Sequence, residues 1–146
     1  MILGEVEAFV MPKTIQQSVS LPTAASRLYD MYLDPKIHEA ITGAPVTISS
    51  EPGSPFQAFD GMLSGALLYT MPKRLIVQSW RAHHWSADDV DSILVLTFWP
   101  AENSGRIELV HVNVADHDVQ GVSEGWEKYY WHPWRQYLQQ AQMRIP

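Results

Sequence analysis

The order of hydrophobic and polar positions predicts a strand followed by two short helices in the first part of the chain. In residues 14–20, apolar and polar side chains alternate, which is typical of a β-strand with one buried face. Over 23–33 the apolar residues recur every three or four positions, which predicts a helix. Pro35 interrupts this pattern and Gly43 follows it, so we expect a second short helix that ends near Ile41.

The middle of the chain predicts antiparallel strands joined by tight turns. Short segments rich in Val, Ile, Leu and aromatic residues alternate there with turn signals. One of them, IELVHV, places Ile107, Leu109 and His111 on one face of a strand. We expect five or six strands in a meander, with turns at PGSP (52–55), DG (60–61), MPKR (71–74), SADD (86–89) and ENSG (102–105).

The last stretch predicts an amphipathic helix over about residues 122–141. Ser123 is a candidate N-cap, and Pro133 is expected to cause a kink or irregularity because it cannot donate a backbone hydrogen bond. Trp131 lies at the edge of the apolar arc and is expected to be more exposed than Trp126. At about 100° per residue, that arc is formed by Trp126, Tyr129, Tyr130, Trp134, Tyr137, Leu138 and Ala141.

This order of elements predicts an α+β fold. A curved antiparallel sheet buries one face well only when something covers it, and the long C-terminal helix is the candidate cover. We therefore expect the sheet to wrap around that helix, with the two short helices after the first strand. No repeat or linker divides the sequence, so residues 1–146 are interpreted as one domain, in which 1–13 form an N-terminal extension or an additional strand.

Composition narrows the classes of function. Of 146 residues, 46% are hydrophobic and 18% charged, which is typical of a globular protein. The net charge of −6 argues against nucleic-acid binding, because binding phosphates requires a clustered basic surface. The chain has no cysteine, which excludes disulfides and thiolate chemistry. The apolar start is too short to span a membrane and lacks the basic region of a signal peptide, so a cytoplasmic protein is expected.

Several segments carry a resemblance to a known superfamily. They are LYDMYLDPKIHEAITG (28–43), FDGMLSGALLYTMPKRLIVQSWRAHHW (59–85), IELVHVNV (107–114) and GWEKYYW (125–131). In this order they resemble the START-like, or helix-grip (SRPBCC), superfamily, and within it the branch named after the activator of the heat-shock-protein-90 ATPase. The resemblance implies the helix-grip fold and an apolar cavity between the sheet and the C-terminal helix. It does not imply ATPase activation by this protein.

The predicted site is a ligand cavity whose walls are mainly apolar. Trp126 and Tyr130, one turn apart, are expected to face Trp80 and His111 across an apolar space. His111 is interpreted either as a core histidine with satisfied hydrogen bonds or as a polar anchor for the ligand. The candidate ligand-binding residues are Tyr32, Phe56, Trp80, Leu96, Phe98, Leu109, His111, Trp126, Tyr130 and Trp134.

Metal binding and catalysis are weaker interpretations. His83 and His84 precede a group of aspartates at 88–91, and a second loose cluster consists of His111, Asp116, His117 and Asp118. A solvated loop is the commoner explanation of such patterns. Glu127 could act as an acid or base, although a carboxylate near a helix N-terminus usually faces solvent. We predict no catalytic residue, no metal and no cofactor.

Three functions remain open at this point. The preferred one is non-enzymatic binding of a small hydrophobic or amphipathic ligand. The second is a chaperone-partner module that acts through its surface, and the third is an enzyme of the polyketide cyclase kind. A mostly apolar cavity with one or two polar anchors favours the first, an exposed apolar and charged patch without a cavity favours the second, and a cavity with ionisable groups in mutual reach favours the third.

Overall fold

The computed structural model describes residues 11–143 and has the predicted α+β architecture. Two short helices follow the first strand, six further strands complete an antiparallel sheet, and a long helix ends the described chain. The elements are β1 (Lys13–Leu21), α1 (Ala25–Leu33), α2 (Pro35–Thr42), β2 (Val46–Thr47), β3 (Pro55–Ala58), β4 (Leu63–Met71), β5 (Leu75–Ala82), β6 (Ser92–Ala101), β7 (Ser104–Val114), α3 (Val119–Trp126), a π-helical turn (Glu127–Trp131) and α4 (His132–Met143).

The seven strands form one sheet in the order β1-β7-β6-β5-β4-β3-β2. Strands β2 to β7 follow one another as hairpins, as the turn signals predicted, whereas β1 crosses over to pair with β7. Side chains along β5, β6 and much of β7 alternate between buried and half-buried, which marks one inner face toward the helices. Ile107, Leu109 and His111 share that inner face, as predicted.

The two short helices begin and end where their sequence signals lie. Asp34 caps α2, because its carboxylate accepts hydrogen bonds from the backbone N–H groups of Lys36 and Ile37. Pro35 occupies the first turn, where its missing N–H costs nothing. Gly43 ends the helix in the left-handed conformation, with φ of 76°. The predicted boundary at Ile41 is correct to within one residue.

The C-terminal helix, residues 119–143, starts earlier than predicted. A 3₁₀ turn at Asp116–Asp118 leads directly into α3 at Val119, so Ser123 lies inside the helix and its predicted role as N-cap is wrong. The Ser123 hydroxyl accepts a hydrogen bond from Gln17 of β1 instead. Asp118 precedes the helix but makes no capping bond, since its carboxylate contacts Trp85 and His84.

A π-helical turn changes which aromatic residues are buried. The N–H of His132 bonds to the Glu127 carbonyl, five residues back, just before Pro133, so the predicted irregularity lies in this turn. A π-turn holds more residues than an α-turn and rotates the following side chains. Trp131 is therefore only 3% exposed and Tyr129 is 48% exposed. The predictions that Trp131 is more exposed than Trp126 and that Tyr129 belongs to the buried arc are both wrong.

Two indole side chains of the C-terminal helix donate hydrogen bonds to the sheet. Trp126 donates its indole N–H to His111 of β7 over 3.2 Å. Trp131 donates its indole N–H to the Gln17 side-chain oxygen of β1 over 2.8 Å. The long helix thus packs across the inner face near β1 and β7, as an α+β fold of this kind requires.

Most of the predicted N-terminal extension or additional strand, residues 1–13, lies outside the described residues. Lys13 itself is the first residue of β1. Within residues 11–143, no helix is long and apolar enough to cross a membrane.

Candidate functional site

An open cleft lies between the first turns of the C-terminal helix and the strands that face them. Its volume is about 440 Å³, within the range of roughly 300–1,000 Å³ that is typical of small-molecule sites. The lining side chains of Met62, His84 and Tyr129 are also exposed, so the cleft opens to solvent. The lining is mostly apolar and consists of Phe59, Met62, Leu63, Trp80, Ala82, His84, Asp118, Gly121, Val122, Gly125, Trp126, Tyr129 and Tyr130.

Five aromatic side chains line this cleft. The rings of Trp126 and Tyr130 lie 4.9 Å apart, centroid to centroid. Phe59 meets Tyr130 edge-on at 6.0 Å and Tyr129 edge-on at 5.5 Å, while Trp80 comes from the sheet. Rings at such distances attract one another through their edges and faces. An aromatic ligand would find the same kind of contact.

A strained loop holds one of these rings in place. Phe59, Asp60 and Gly61 have φ values of 51°, 56° and 86°, so three consecutive residues are in the left-handed region. Only glycine adopts that region without a steric cost, and a bulky residue there requires support from its surroundings. The contacts of the Phe59 ring with Tyr129 and Tyr130 supply such support.

A histidine and an aspartate form the polar end of the cleft. His84 Nε2 lies 3.0 Å from Asp118 Oδ2, and the Asp118 side chain is only 19% exposed. The same carboxylate oxygen accepts the indole N–H of Trp85 over 2.8 Å. A carboxylate can only accept hydrogen bonds, so His84 donates through Nε2. Asp118 thereby fixes the orientation of the imidazole.

Behind the cleft wall, His111 is buried and bonded through both ring nitrogens. Its Nδ1 accepts the indole N–H of Trp126, and its Nε2 lies 2.8 Å from the Ser92 hydroxyl, which itself donates to the Trp80 carbonyl. An indole nitrogen can only donate, so the proton of the neutral imidazole resides on Nε2. Burial lowers the pKa of His111 to about 3. The imidazole is therefore neutral near pH 7.

A second buried histidine is bonded to Tyr130, another residue of the cleft lining. His38 Nδ1 lies 2.7 Å from the Tyr32 carbonyl and its Nε2 lies 2.9 Å from the Tyr130 hydroxyl. Because a carbonyl accepts, Nδ1 carries the proton and Tyr130 donates to Nε2. Burial lowers the pKa of His38 to about 4, although the bond to the Tyr32 carbonyl opposes this shift, and burial raises the pKa of Tyr130. The Tyr32 hydroxyl in turn donates to Gln78.

The family of the chain follows from a match over most of its length. The family model described as "Activator of Hsp90 ATPase homolog 1-like protein" matches residues 22–139. The chain belongs to this family.

Individual relatives agree with that assignment. The human protein "Activator of 90 kDa heat shock protein ATPase homolog 1" is 26% identical over 108 residues, which are 74% of this chain and 32% of the relative. The chain thus spans about a third of the length of the curated relatives it matches.

Solved structures extend the likeness to the fold. An HSP90 activator from Plasmodium falciparum superimposes with a TM-score of 0.78 at 18% identity, covering 88% of this chain and 96% of that one. DynU16, a protein from the dynemicin biosynthetic locus, gives a TM-score of 0.71 at 12% identity, covering 86% of this chain and 47% of the other. The resemblance to the START-like, helix-grip fold and to the activator branch is confirmed.

In this member of the activator family, three of the ten predicted site residues line the cleft. Trp80, Trp126 and Tyr130 do so, and His111 lies directly behind Trp126. Trp126 and His111 are in contact, so the apolar space expected between them is absent at that point. The remaining six pack in the buried core and not along the cleft: Tyr32, Phe56, Leu96, Phe98, Leu109 and Trp134.

Sequence reasoning missed the part of the site that the helix glycines and the 59–62 loop provide. Gly121 and Gly125 have no side chains, so this part of the helix surface leaves space for the cleft. Their spacing of four residues, one helical turn, was the available signal. His38, the buried partner of Tyr130, gave no signal, because a histidine in a polar helix segment usually faces solvent.

The two suspected metal clusters separate into pairs. His84 pairs with Asp118, and His117 pairs with Asp89 at 2.8 Å, while His111 is buried in the core. The hydrogen bond between His117 and Asp89 raises the pKa of the imidazole and lowers the pKa of the carboxyl. Within residues 11–143, no group of three or more His, Asp or Glu side chains is arranged to hold a metal ion.

The position of Glu127 agrees with the solvent-facing interpretation. It is exposed on the π-turn and is not among the cleft residues. Its carboxylate therefore has no access to a molecule held in the cleft. For His111, the structure agrees with the interpretation as a core histidine and not as a ligand anchor, because both its ring nitrogens are bonded within the protein.

Proposed function

We propose that the protein binds a small, mainly apolar and aromatic molecule in the cleft between the sheet and the C-terminal helix, without catalysing a reaction on it. The observation that carries this proposal is an open cleft of about 440 Å³ whose walls include five aromatic rings. An apolar space of that size that remains open to water is unfavourable unless a ligand covers it, because apolar surface is stabilised by leaving water.

The polar groups around the cleft support binding over catalysis. The Trp126 indole and the Tyr130 hydroxyl donate their hydrogen bonds to buried histidines behind the wall. They are therefore not directed at a molecule in the cleft. The His84–Asp118 pair at the polar end suits the recognition of one polar group on the ligand. His84 and Asp118 are ionisable groups in mutual reach within the cleft, so a polyketide cyclase-like reaction stays the third candidate. Acid–base work would fall to this pair, because Glu127 is not among the lining residues.

A specific surface feature supports a second candidate function, that of a chaperone-partner module. Tyr69 and Met71 are about half exposed on β4, and their partners on β5 are Val77 and Leu75, which are only partly buried. Together they form an apolar strip on the outer face of the sheet, which marks a candidate protein contact. The relatives are named for activation of a heat-shock-protein ATPase, so that chaperone is the partner to test.

The test of ligand binding uses two substitutions at one helix position. A Cβ added at Gly125 would lie 3.6 Å from the Tyr129 ring, an ordinary contact, so Gly125→Ala keeps the cleft open. Gly125→Leu places a large side chain in it. We expect the uncharged dye N-phenyl-1-naphthylamine to gain fluorescence with the parent and with Gly125→Ala, and at least tenfold weaker binding with Gly125→Leu. Equal binding by both variants would contradict the proposed location.

Native mass spectrometry of freshly purified protein complements this test, since a retained natural ligand adds its mass to the intact chain. The chaperone alternative is tested by adding the protein to a heat-shock-protein-90 ATPase assay. Stimulation that is lost in Tyr69→Ser with Met71→Ser, and kept in Gly125→Leu, would favour the surface over the cleft.

A further inference from the structure

The polar end of the cleft is built so that one imidazole nitrogen remains available to accept a hydrogen bond. Asp118 is held by the Trp85 indole over 2.8 Å and orients His84 through a contact of 3.0 Å with Nε2. With the proton of the neutral imidazole on Nε2, Nδ1 carries a lone pair and acts as an acceptor. His84 belongs to the lining of the cleft, so its imidazole borders a mainly apolar space that includes five aromatic side chains.

The aromatic walls define the rest of the ligand. Phe59, Trp80, Trp126, Tyr129 and Tyr130 surround the space, and flat rings stack or meet edge-on with such side chains. Carboxylic acids fit poorly, because the charged group near the polar end is itself the Asp118 carboxylate and like charges repel.

From these two features we propose that the ligand class is a neutral aromatic molecule with one hydroxyl group, a phenol, whose rings occupy the aromatic cleft and whose O–H donates to Nδ1 of His84. This inference rests on the proposed function, which is binding in the cleft. It adds the class of ligand that the His84 imidazole would prefer. Asp118 is a positioning residue in this arrangement, because it acts on the ligand through His84. The Trp85 indole in turn keeps the Asp118 carboxylate in place.

The experiment compares two probes of nearly the same size, 2-naphthol and 2-methoxynaphthalene, in which a methyl group replaces the hydroxyl hydrogen. Dissociation constants are measured by calorimetry or tryptophan quenching at about pH 7.5, where a phenol retains its proton. A hydrogen bond between neutral groups changes affinity by up to roughly tenfold. We therefore expect the parent protein to bind 2-naphthol several-fold to tenfold more tightly than 2-methoxynaphthalene.

His84→Ala is expected to abolish this preference and to leave the binding of 2-methoxynaphthalene nearly unchanged. The variant should fold, because the His84 side chain is 59% exposed and Asp118 retains its bond from Trp85. His83→Ala is the matched control, since His83 is an exposed neighbour outside the cleft lining, and it should keep the parent preference.

The outcomes separate this inference from the proposed function. Equal affinity of the parent for both probes, or a preference that survives in His84→Ala, would overturn the phenol assignment while leaving cleft binding intact. Binding of neither probe, together with no dye response in the Gly125 series, would overturn both.

Discussion

The indole N–H of Trp126 donates to Nδ1 of His111 over 3.2 Å, and both side chains are buried. This bond connects the long helix to β7, the strand that pairs with the edge strand β1. It also fixes the proton of His111 on Nε2, which lies within hydrogen-bonding distance of the Ser92 hydroxyl. Trp126 is therefore part of the packed core, although one side of it also lines the open cleft.

Substitution of Trp126 should be costly for stability. Trp126→Ala removes a buried indole and is expected to lower the free energy of unfolding by about 3–5 kcal/mol. Trp126→Phe keeps a ring but leaves His111 Nδ1 without a donor, which should cost about 1–3 kcal/mol. Urea denaturation monitored by circular dichroism measures both changes. A Trp126→Ala loss below that of Trp126→Phe would contradict this account of the wall.

Stability should decrease in acid because of the two buried histidines. Burial lowers the pKa of His38 from 6.5 to about 4 and that of His111 from 6.5 to about 3. Below pH 6.5 the unfolded chain binds protons that the folded protein does not accept. Stability is therefore fully present above pH 6.5 and is lost as the pH falls toward these folded values, by up to about 1.4 kcal/mol per pH unit for each histidine.

The contribution of His111 can be isolated with His111→Gln. A glutamine can accept from Trp126 and donate to Ser92, yet it does not titrate. The free energy of unfolding of this variant, measured between about pH 7 and pH 4.5, should fall less steeply than that of the parent. His83→Gln, at an exposed position, serves as the control and should retain the parent slope. Parallel curves for the parent and His111→Gln would show that His111 does not carry the effect.

Two glycines should respond to alanine in opposite directions. A Cβ at Gly65 of β4 would lie 1.9 Å from the backbone oxygen of Ser79, so Gly65→Ala forces the strands apart and should cost about 1–3 kcal/mol or more. Gly125 lies in a helix with only an ordinary contact to Tyr129, so Gly125→Ala should stabilise by about 0.5–1 kcal/mol. Thermal unfolding of both variants checks the signs, and a stabilising Gly65→Ala would refute the close approach.

The fold was predictable because its signals are local. Asp34, Pro35 and Gly43 mark the two ends of α2 within three or four residues of the bonds they make. The alternation in IELVHV placed His111 on the inner face for the same reason. The network of His38 with Tyr130 was not predictable, because its partners are 92 residues apart and no pattern within either segment indicates the contact.

The candidate site was predictable only in part. Periodicity identified Trp126 and Tyr130 as inward-facing, but it assumed a uniform α-helix. Pro133 indicated an irregularity without its form, and the π-turn before it exchanges the environments of Tyr129 and Trp131. In this turn the backbone N–H bonds to the carbonyl five residues back and not four. The changed register lets Trp131 bond to Gln17 of β1, a contact between distant segments that the local pattern does not indicate.

This exchange leads to a prediction about two nearby rings. Trp131 stacks between Trp126 and Trp134, with centroids at 5.4 and 6.3 Å, and its indole donates to Gln17. Trp131→Ala should therefore cost about 3–5 kcal/mol of unfolding free energy. Because Trp131 does not line the cleft, the folded fraction of that variant should bind N-phenyl-1-naphthylamine with nearly the parent affinity.

Tyr129 should show the reverse behaviour. Its ring is 48% exposed, contacts Phe59 edge-on at 5.5 Å and lines the cleft. Tyr129→Ala should change the free energy of unfolding by less than about 1 kcal/mol, as is usual at exposed positions, while it weakens dye binding several-fold because one aromatic wall is lost. Denaturation and dye titration of both variants test the pair together. A larger loss of stability in Tyr129→Ala than in Trp131→Ala would match a regular α-helical register and contradict the π-turn.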